Sequence, residues 1–357
     1  MCVSNGPILV SYFTDKLGFS LRACRNTPVS KQWVVGSQKA VFLVTQRLTS
    51  KTTTEPVEFS HFCCKGNHSV DSVFNVALEV KDVDVLTAKM QKRGAKLLRP
   101  VTEISDSLGS VRYSVMGSCC GNIVHTLLDK SQYKGGFLPT FNTVNSKPTN
   151  QEIITHMDHI TYVCHPGESS SIINWYQDCL GMEKFKVNPT EDPNEGMVIR
   201  GNVGMRLRVI DYWPCAEAGI WHPNGNEETS FKIVLAESLQ GQGIYCNGFS
   251  FSPRLTERIS LIENTHISAF LNGHGGPGLQ HIGLHTPCIT QCVDYMALRN
   301  VLFRKSPAAY YKNVRTDLKN ISKSLLFYFH VFSLHASIPI LVTFNYFNYI
   351  SRKCAVT

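Results

Sequence analysis

Asp158-His159-Ile160-Thr161-Tyr162-Val163 and Gln280-His281-Ile282-Gly283-Leu284-His285 are two copies of one phrase. A polar residue, His and Ile open a short apolar stretch, and a helix-like segment follows each. Both read as the first strand of a module. Two histidines placed alike on two equivalent strands can build a mononuclear metal site at the seam between half-barrels. Such a site calls for one carboxylate more.

Working outward, the third module continues from a strand at 159–163 into a helix over 170–179. Strands then fit 197–200, 205–210 and 231–236. A fresh unit starts at Leu279, with a strand at 281–284 and a helix over 289–298. The first half carries an echo. Tyr12-Phe13-Thr14-Asp15-Lys16-Leu17-Gly18-Phe19 matches Trp175-Tyr176-Gln177-Asp178-Cys179-Leu180-Gly181-Met182. Each reads as a helix end stopped by glycine. Residues 72–80 alternate like a strand. Residues 82–93 read as a helix with Val85, Leu86 and Met90 on one face and Gly94 as the stop, and strands follow at 95–98, 111–116 and 123–128. Repeated βαβββ order with helices to one side is an α+β architecture.

Residues 131–155 hold Gly135-Gly136, Pro139 and Ser146-Lys147-Pro148 with little periodicity. The expected organisation is a first domain over 1–138, a linker over 139–155, and a second domain over 156–311 interrupted by an atypical insert at 241–262. A divergent apolar tail over 312–357 completes it.

Composition sets the outer bounds. The 357 residues are 43% hydrophobic and 17% charged, which is a globular balance with room for two cores. The net charge of +8 comes from Lys and Arg spread along the chain, so no nucleic-acid partner is expected. Without a visible secretory signal, the 13 cysteines are expected as free thiols. The adjacent pairs Cys63-Cys64 and Cys119-Cys120 point to opposite faces of a strand and make poor zinc clamps, even with His61 and His68 nearby. The apolar run 325–350 has the length of a membrane span, but Pro339, Asn345, Asn348, His330 and His335 argue against one.

Several phrases together resemble the 4-hydroxyphenylpyruvate dioxygenase family of the vicinal-oxygen-chelate superfamily, with wording nearest its dioxygenase-like branch. They are His125-Thr126-Leu127-Leu128, Tyr133-Lys134-Gly135-Gly136-Phe137-Leu138-Pro139, Met157-Asp158-His159-Ile160-Thr161, Gly276-Pro277-Gly278-Leu279-Gln280-His281-Ile282-Gly283-Leu284, and Ala309-Tyr310-Tyr311. The resemblance runs from about Leu9 to Tyr311. It implies two half-barrel domains of βαβββ modules and an iron(II) oxygenase of tyrosine-derived aromatic metabolism. Its partners would be 4-hydroxyphenylpyruvate, a small aromatic α-keto acid, and dioxygen, and its product homogentisate or 4-hydroxymandelate. Homodimers are common in the family. The dioxygenase-like branch implies a mitochondrial protein, the dioxygenase itself a cytoplasmic one.

The resemblance places His159 and His281 on the family's two histidine positions for iron(II), with Gln280 beside them in either a substrate or a packing role. It also implies a glutamate on a late strand of the last module. Here the last acidic residue is Asp317, and Glu237 belongs to an earlier strand whose counterpart is not a ligand. No third carboxylate is found. The first module reads as clipped, the last as incomplete, and the strand of His281 is expected to expose a bare edge. A catalytically silent binding protein on the same fold is the alternative. A serine or cysteine hydrolase has no motif to support it.

Overall fold

The computed structural model describes residues 1–48, 71–144, 152–186, 192, 194–199, 204–212, 231–239 and 266–304, with the backbone of 331–333 and 341–345. The insert at 241–262, the phrase at 309–311, the His61 to His68 cluster and most of the tail lie outside the described residues.

One connectivity occurs four times. The first module is β1 (Cys2–Val3), α1 (Gly6–Ser11) running into a π-helical turn (Tyr12–Lys16), β2 (Ser20–Asn26), β3 (Ser30–Ser37) and β4 (Ala40–Arg47). The second is β5 (Leu78–Glu79), α2 (Val83–Lys92), β6 (Leu97–Asp106), β7 (Gly109–Gly117) and β8 (Val124–Asp129). After β9 (Asn142–Thr143) comes the third: β10 (His156–Val163), α3 (Ser169–Leu180), β11 (Met182–Phe185), β12 (Met197–Ile199), β13 (Met205–Tyr212) and β14 (Lys232–Ser238). A helix α4 (His266–His274) leads into the fourth: β15 (Gly278–His285), α5 (Ile289–Ala297), β16 (Phe303–Arg304), β17 (Val331–Ser333) and β18 (Leu341–Asn345).

In every module the first strand pairs in parallel with the last: β1 with β4, β5 with β8, β10 with β14, and β15 with β18. In the second half the first strands of neighbouring modules meet antiparallel in the full β10–β15 ladder, while in the first half β1 makes an isolated antiparallel bridge to Ser72, upstream of β5. The result is one five-stranded, one four-stranded and one nine-stranded sheet, in an α+β fold of vicinal-oxygen-chelate type.

Local chemistry explains the elements. Asp82 caps α2, its carboxylate accepting from the Val85 amide at 3.0 Å, and Gly94 stops the helix at φ +86°. Gly181 closes α3 in the same left-handed way at φ +68°. One core runs through both halves, from Phe13, Leu17 and Phe42 to Ile160, Tyr176, Ile282 and Met296.

Some expectations are corrected. Val85 is 62% exposed; the buried stripe of α2 is Val83, Leu86, Thr87 and Met90, and Val85 falls about 100° outside it around the helix. The strand expected at 72–80 is only the two-residue β5, preceded by isolated bridges at Ser72 and Asn75. Strands β2 to β4 and helix α4 were not foreseen. The first module, read as clipped, has a short opening strand in β1, without a histidine. The 139–155 segment contributes β9, which pairs with β2. The edge of β15 is not bare: β18 covers it, and the last module keeps the order of the others in shortened strands. The eight cysteines among the described residues are free thiols. No helix among them is long and apolar enough to cross a membrane.

Candidate metal centre

The β10–β15 ladder brings the two histidine phrases together. His159 lies across from Gly283, and Thr161 across from His281. Alternation therefore puts His159, Thr161, His281 and Gly283 on one face of the sheet. The two imidazoles stand perpendicular with centroids 5.6 Å apart. The Ile160 and Ile282 side chains point the other way into the main core. Helix α4 packs over the histidine-bearing face, where Ile267 and Phe270 cluster with Val163 and Ala236.

Each histidine follows a bulged residue. The pairing skips Asp158 on β10 and Gln280 on β15. Freed from the ladder, each of these side chains turns onto the ring beside it. Asp158 accepts from Nδ1 of His159 at 2.9 Å, and Gln280 Oε1 accepts from Nδ1 of His281 at 3.2 Å. Both arrangements fix the tautomer and leave the Nε2 lone pair, as an imidazole ligand requires. The bulge makes Gln280 the hydrogen-bond partner of His281. The roles of Asp158, Thr161 and Gly283 were not foreseen. The polar residue before each histidine was the available signal for Asp158.

The charge states suit a cation. Burial, with His159 beside it, pushes His281 down to about 3, so it is neutral at pH 7. For Asp158 burial works upward, but its hydrogen bond to His159, with Lys232 behind, outweighs it and holds the carboxyl at about 2. The Thr161 hydroxyl donates to Nε2 of His281 at 2.9 Å.

The carboxylates are engaged elsewhere. Glu237 sits on the opposite face of β14 from the position beside His159. It accepts from the amides of Gly167 (2.9 Å) and Ser169 (3.2 Å) at the start of α3 and pairs with Arg206 at 3.1 Å. Register places Leu341 beside His281 and Thr343 beside Gly283 on β18, whose five residues include no acid. Among the described residues no three of His, Cys, Asp and Glu converge as a metal-holding group. The donors among the described residues fit two of the three protein positions of an iron(II) facial triad and leave the carboxylate position unmatched there.

A cavity of about 510 Å³ lies against the other face of this sheet, lined among others by Phe42, His125, Ile160, Tyr176, Leu279 and Ile282. The two imidazoles do not line it, and chemistry rather than a hollow locates the site. His125, from one of the quoted phrases, is buried at its wall. Its Nδ1 donates to the Val76 carbonyl at 3.0 Å and its Nε2 accepts from the Tyr176 hydroxyl at 2.8 Å, joining the second module to the third.

No family model matches the chain. The 4-hydroxyphenylpyruvate dioxygenase-like protein of Mus musculus is 33% identical over 298 residues, 83% of this chain and 70% of the relative. Its Homo sapiens counterpart is 32% identical over 313 residues, 87% and 74% respectively. A 4-hydroxyphenylpyruvate dioxygenase of Yarrowia lipolytica is 25% identical over 90% of this chain and 73% of its own length. Among solved structures, a triple mutant of 4-hydroxymandelate synthase from Streptomyces coelicolor superposes with a TM-score of 0.62 at 17% identity, covering 96% of this chain and 89% of that one. That likeness is one of fold.

Proposed function

The chain belongs to the family of 4-hydroxyphenylpyruvate dioxygenase-like proteins, and from that premise we propose that it is an iron(II)-dependent oxygenase acting on 4-hydroxyphenylpyruvate, with His159 and His281 as metal ligands. One observation carries the reading: two histidines at equivalent positions of adjacent strands, on one face, each with Nδ1 tied to the side chain before it. Iron(II) bound there supplies the redox chemistry toward an α-keto acid and dioxygen. The protein's own contribution is positional. Asp158 and Gln280 hold the rings, and His281 offers the Nε2 lone pair that its tautomer leaves free.

The unmatched carboxylate position favours a second reading, a catalytically silent protein that binds an aromatic α-keto acid on the same fold. Anaerobic titration with iron(II) and 4-hydroxyphenylpyruvate separates the two. The oxygenase reading expects the visible charge-transfer band of a keto acid chelated to ferrous iron, abolished in His159→Ala and in His281→Ala, and product on admitting oxygen. A folded wild-type chain that shows no band, or a band without product, leaves the silent reading.

A further inference from the structure

We propose that the cavity on the far side of the histidine-bearing sheet binds a single-tailed aliphatic carboxylate, with the tail inside and the head group at a basic mouth. Its walls come from both halves of the chain, and His159 and His281 are not among them. The assignment does not depend on iron binding.

The interior suits a tail. Ile160 and Ile282 face it from the second half, and Val34 and Leu43, neighbours across β3 and β4, from the first. Val41, Leu43, Met157 and Phe231 line the hollow and are only partly buried. Apolar surface left wet inside a concavity of about 510 Å³ is what the apolar part of a ligand covers. The polar groups of the same walls already satisfy one another. Both nitrogens of His125 are taken, by the Val76 carbonyl and the Tyr176 hydroxyl. The Asn75 amide donates to Thr126 Oγ1 at 2.8 Å, and Gln32 donates to Thr45 Oγ1 at 3.1 Å. Walls of this kind take hydrocarbon without leaving a buried polar group unpaired.

Charge gathers at the rim. Among the described lining residues, Arg22, Lys39 and Lys130 stand against one carboxylate, that of Glu79. Arg22 sits at a bulge of β2, and its guanidinium lies over Gly36, where a β-carbon would stand 2.5 Å from Cζ. It donates to the Gln38 carbonyl at 2.9 Å. Lys39 follows on the same turn, and its amide donates to the Thr155 carbonyl at 2.8 Å, which sets the turn beside His156 at the start of β10. Glu152 shares the Arg22 charge at 3.7 Å, so the exposed Lys39 is the cation better placed to meet an incoming head group. A carboxylate held at this corner keeps its contact with water while its carbon chain runs inward.

The test is isothermal titration of the whole chain with sodium octanoate, decanoate and laurate, all below their micelle concentrations. Dodecyltrimethylammonium, a tail of the same length with a cationic head, is the comparison. One site per chain is expected, tightening about fourfold for each methylene added. The ammonium compound is expected to bind at least about tenfold more weakly than laurate, and Lys39→Glu to weaken laurate about tenfold. Leu43→Trp, which fills the hollow, should abolish binding while circular dichroism shows the fold retained. His159→Ala should bind laurate like wild type. Affinity that ignores chain length, equal binding of the cationic amphiphile, or adsorption at many sites overturns the assignment. So does wild-type affinity in a folded Leu43→Trp, or loss of laurate in a folded His159→Ala, which would put the tail on the histidine face. If Leu43→Trp fails to fold, the chain-length series and Lys39→Glu decide.

Discussion

Gly283 leaves the space that the His159 imidazole fills: a β-carbon at 283 would stand 2.2 Å from the ring's Cε1. The two residues face each other across the β10–β15 ladder, so the ring lies flat over bare backbone. Gly283→Ala is therefore expected to push His159 out of place. Overpacking of this kind costs about 1–3 kcal/mol, which thermal melting would register. Metal affinity should fall at least about tenfold, as for other losses of ligand orientation. A variant that binds cobalt(II) like wild type would show that His159 is not a ligand.

Asp158 orients His159 through its Nδ1. Asp158→Ala is expected to weaken cobalt(II) binding by about 10- to 100-fold, and Asp158→Asn by less, because the amide oxygen still accepts from the ring. Isothermal titration on the three proteins gives the order directly. Equal affinities would reduce the Asp158–His159 bond to a packing detail.

Glu237 separates structural carboxylate from metal ligand. Its buried oxygens take two amides at the start of α3 and the Arg206 guanidinium. Glu237→Gln should destabilise the protein by about 1–3 kcal/mol, since the buried group loses its charge-assisted bonds to Arg206 and Arg208. Cobalt(II) affinity should not change once the variant is compared under conditions where it is folded. Loss of metal binding from a folded variant would place Glu237 in the centre after all.

His125 predicts a pH dependence. Burial, opposed only by its bond to the Val76 carbonyl, lowers it from 6.5 to about 4. Above pH 6.5 the ring is neutral in both the folded and the unfolded chain and contributes no slope. Between 6.5 and 4 the unfolded chain binds a proton that the folded one does not, so stability falls with falling pH, by roughly 3 kcal/mol in all. Below about 4 both forms are protonated and the slope ends. His125→Gln should fold less stably at pH 7 but lose less on going from pH 7 to pH 4, read as the difference in urea midpoints between the two proteins. Parallel pH profiles would mean that His125 titrates freely in the folded state.

Much of the fold was written in periodicity and punctuation. The helices at 83–92 and 169–180 follow from apolar spacing and glycine stops, the helix at 289–297 from apolar spacing without one, and the strands of the two histidine phrases from alternation. Strands β3 and β4 escaped because Gln32, Trp33 and Thr45 blur their alternation. Gln32 and Thr45 are buried polar residues that satisfy each other across the sheet at 3.1 Å. Helix α4 escaped because it is short and follows a stretch with no recognisable pattern.

The sequence by itself determined that two histidines open two equivalent strands, and which polar residue precedes each. Those are matters of residue identity and local spacing. Only the tertiary structure decided that both rings share a face, that Asp158 and Gln280 turn back onto them, and that Thr161 stands against Nε2 of His281. The reason is the ladder. Which residues of β10 and β15 oppose each other depends on register and on two bulges, and a shift of one residue would send every one of these side chains to the opposite face.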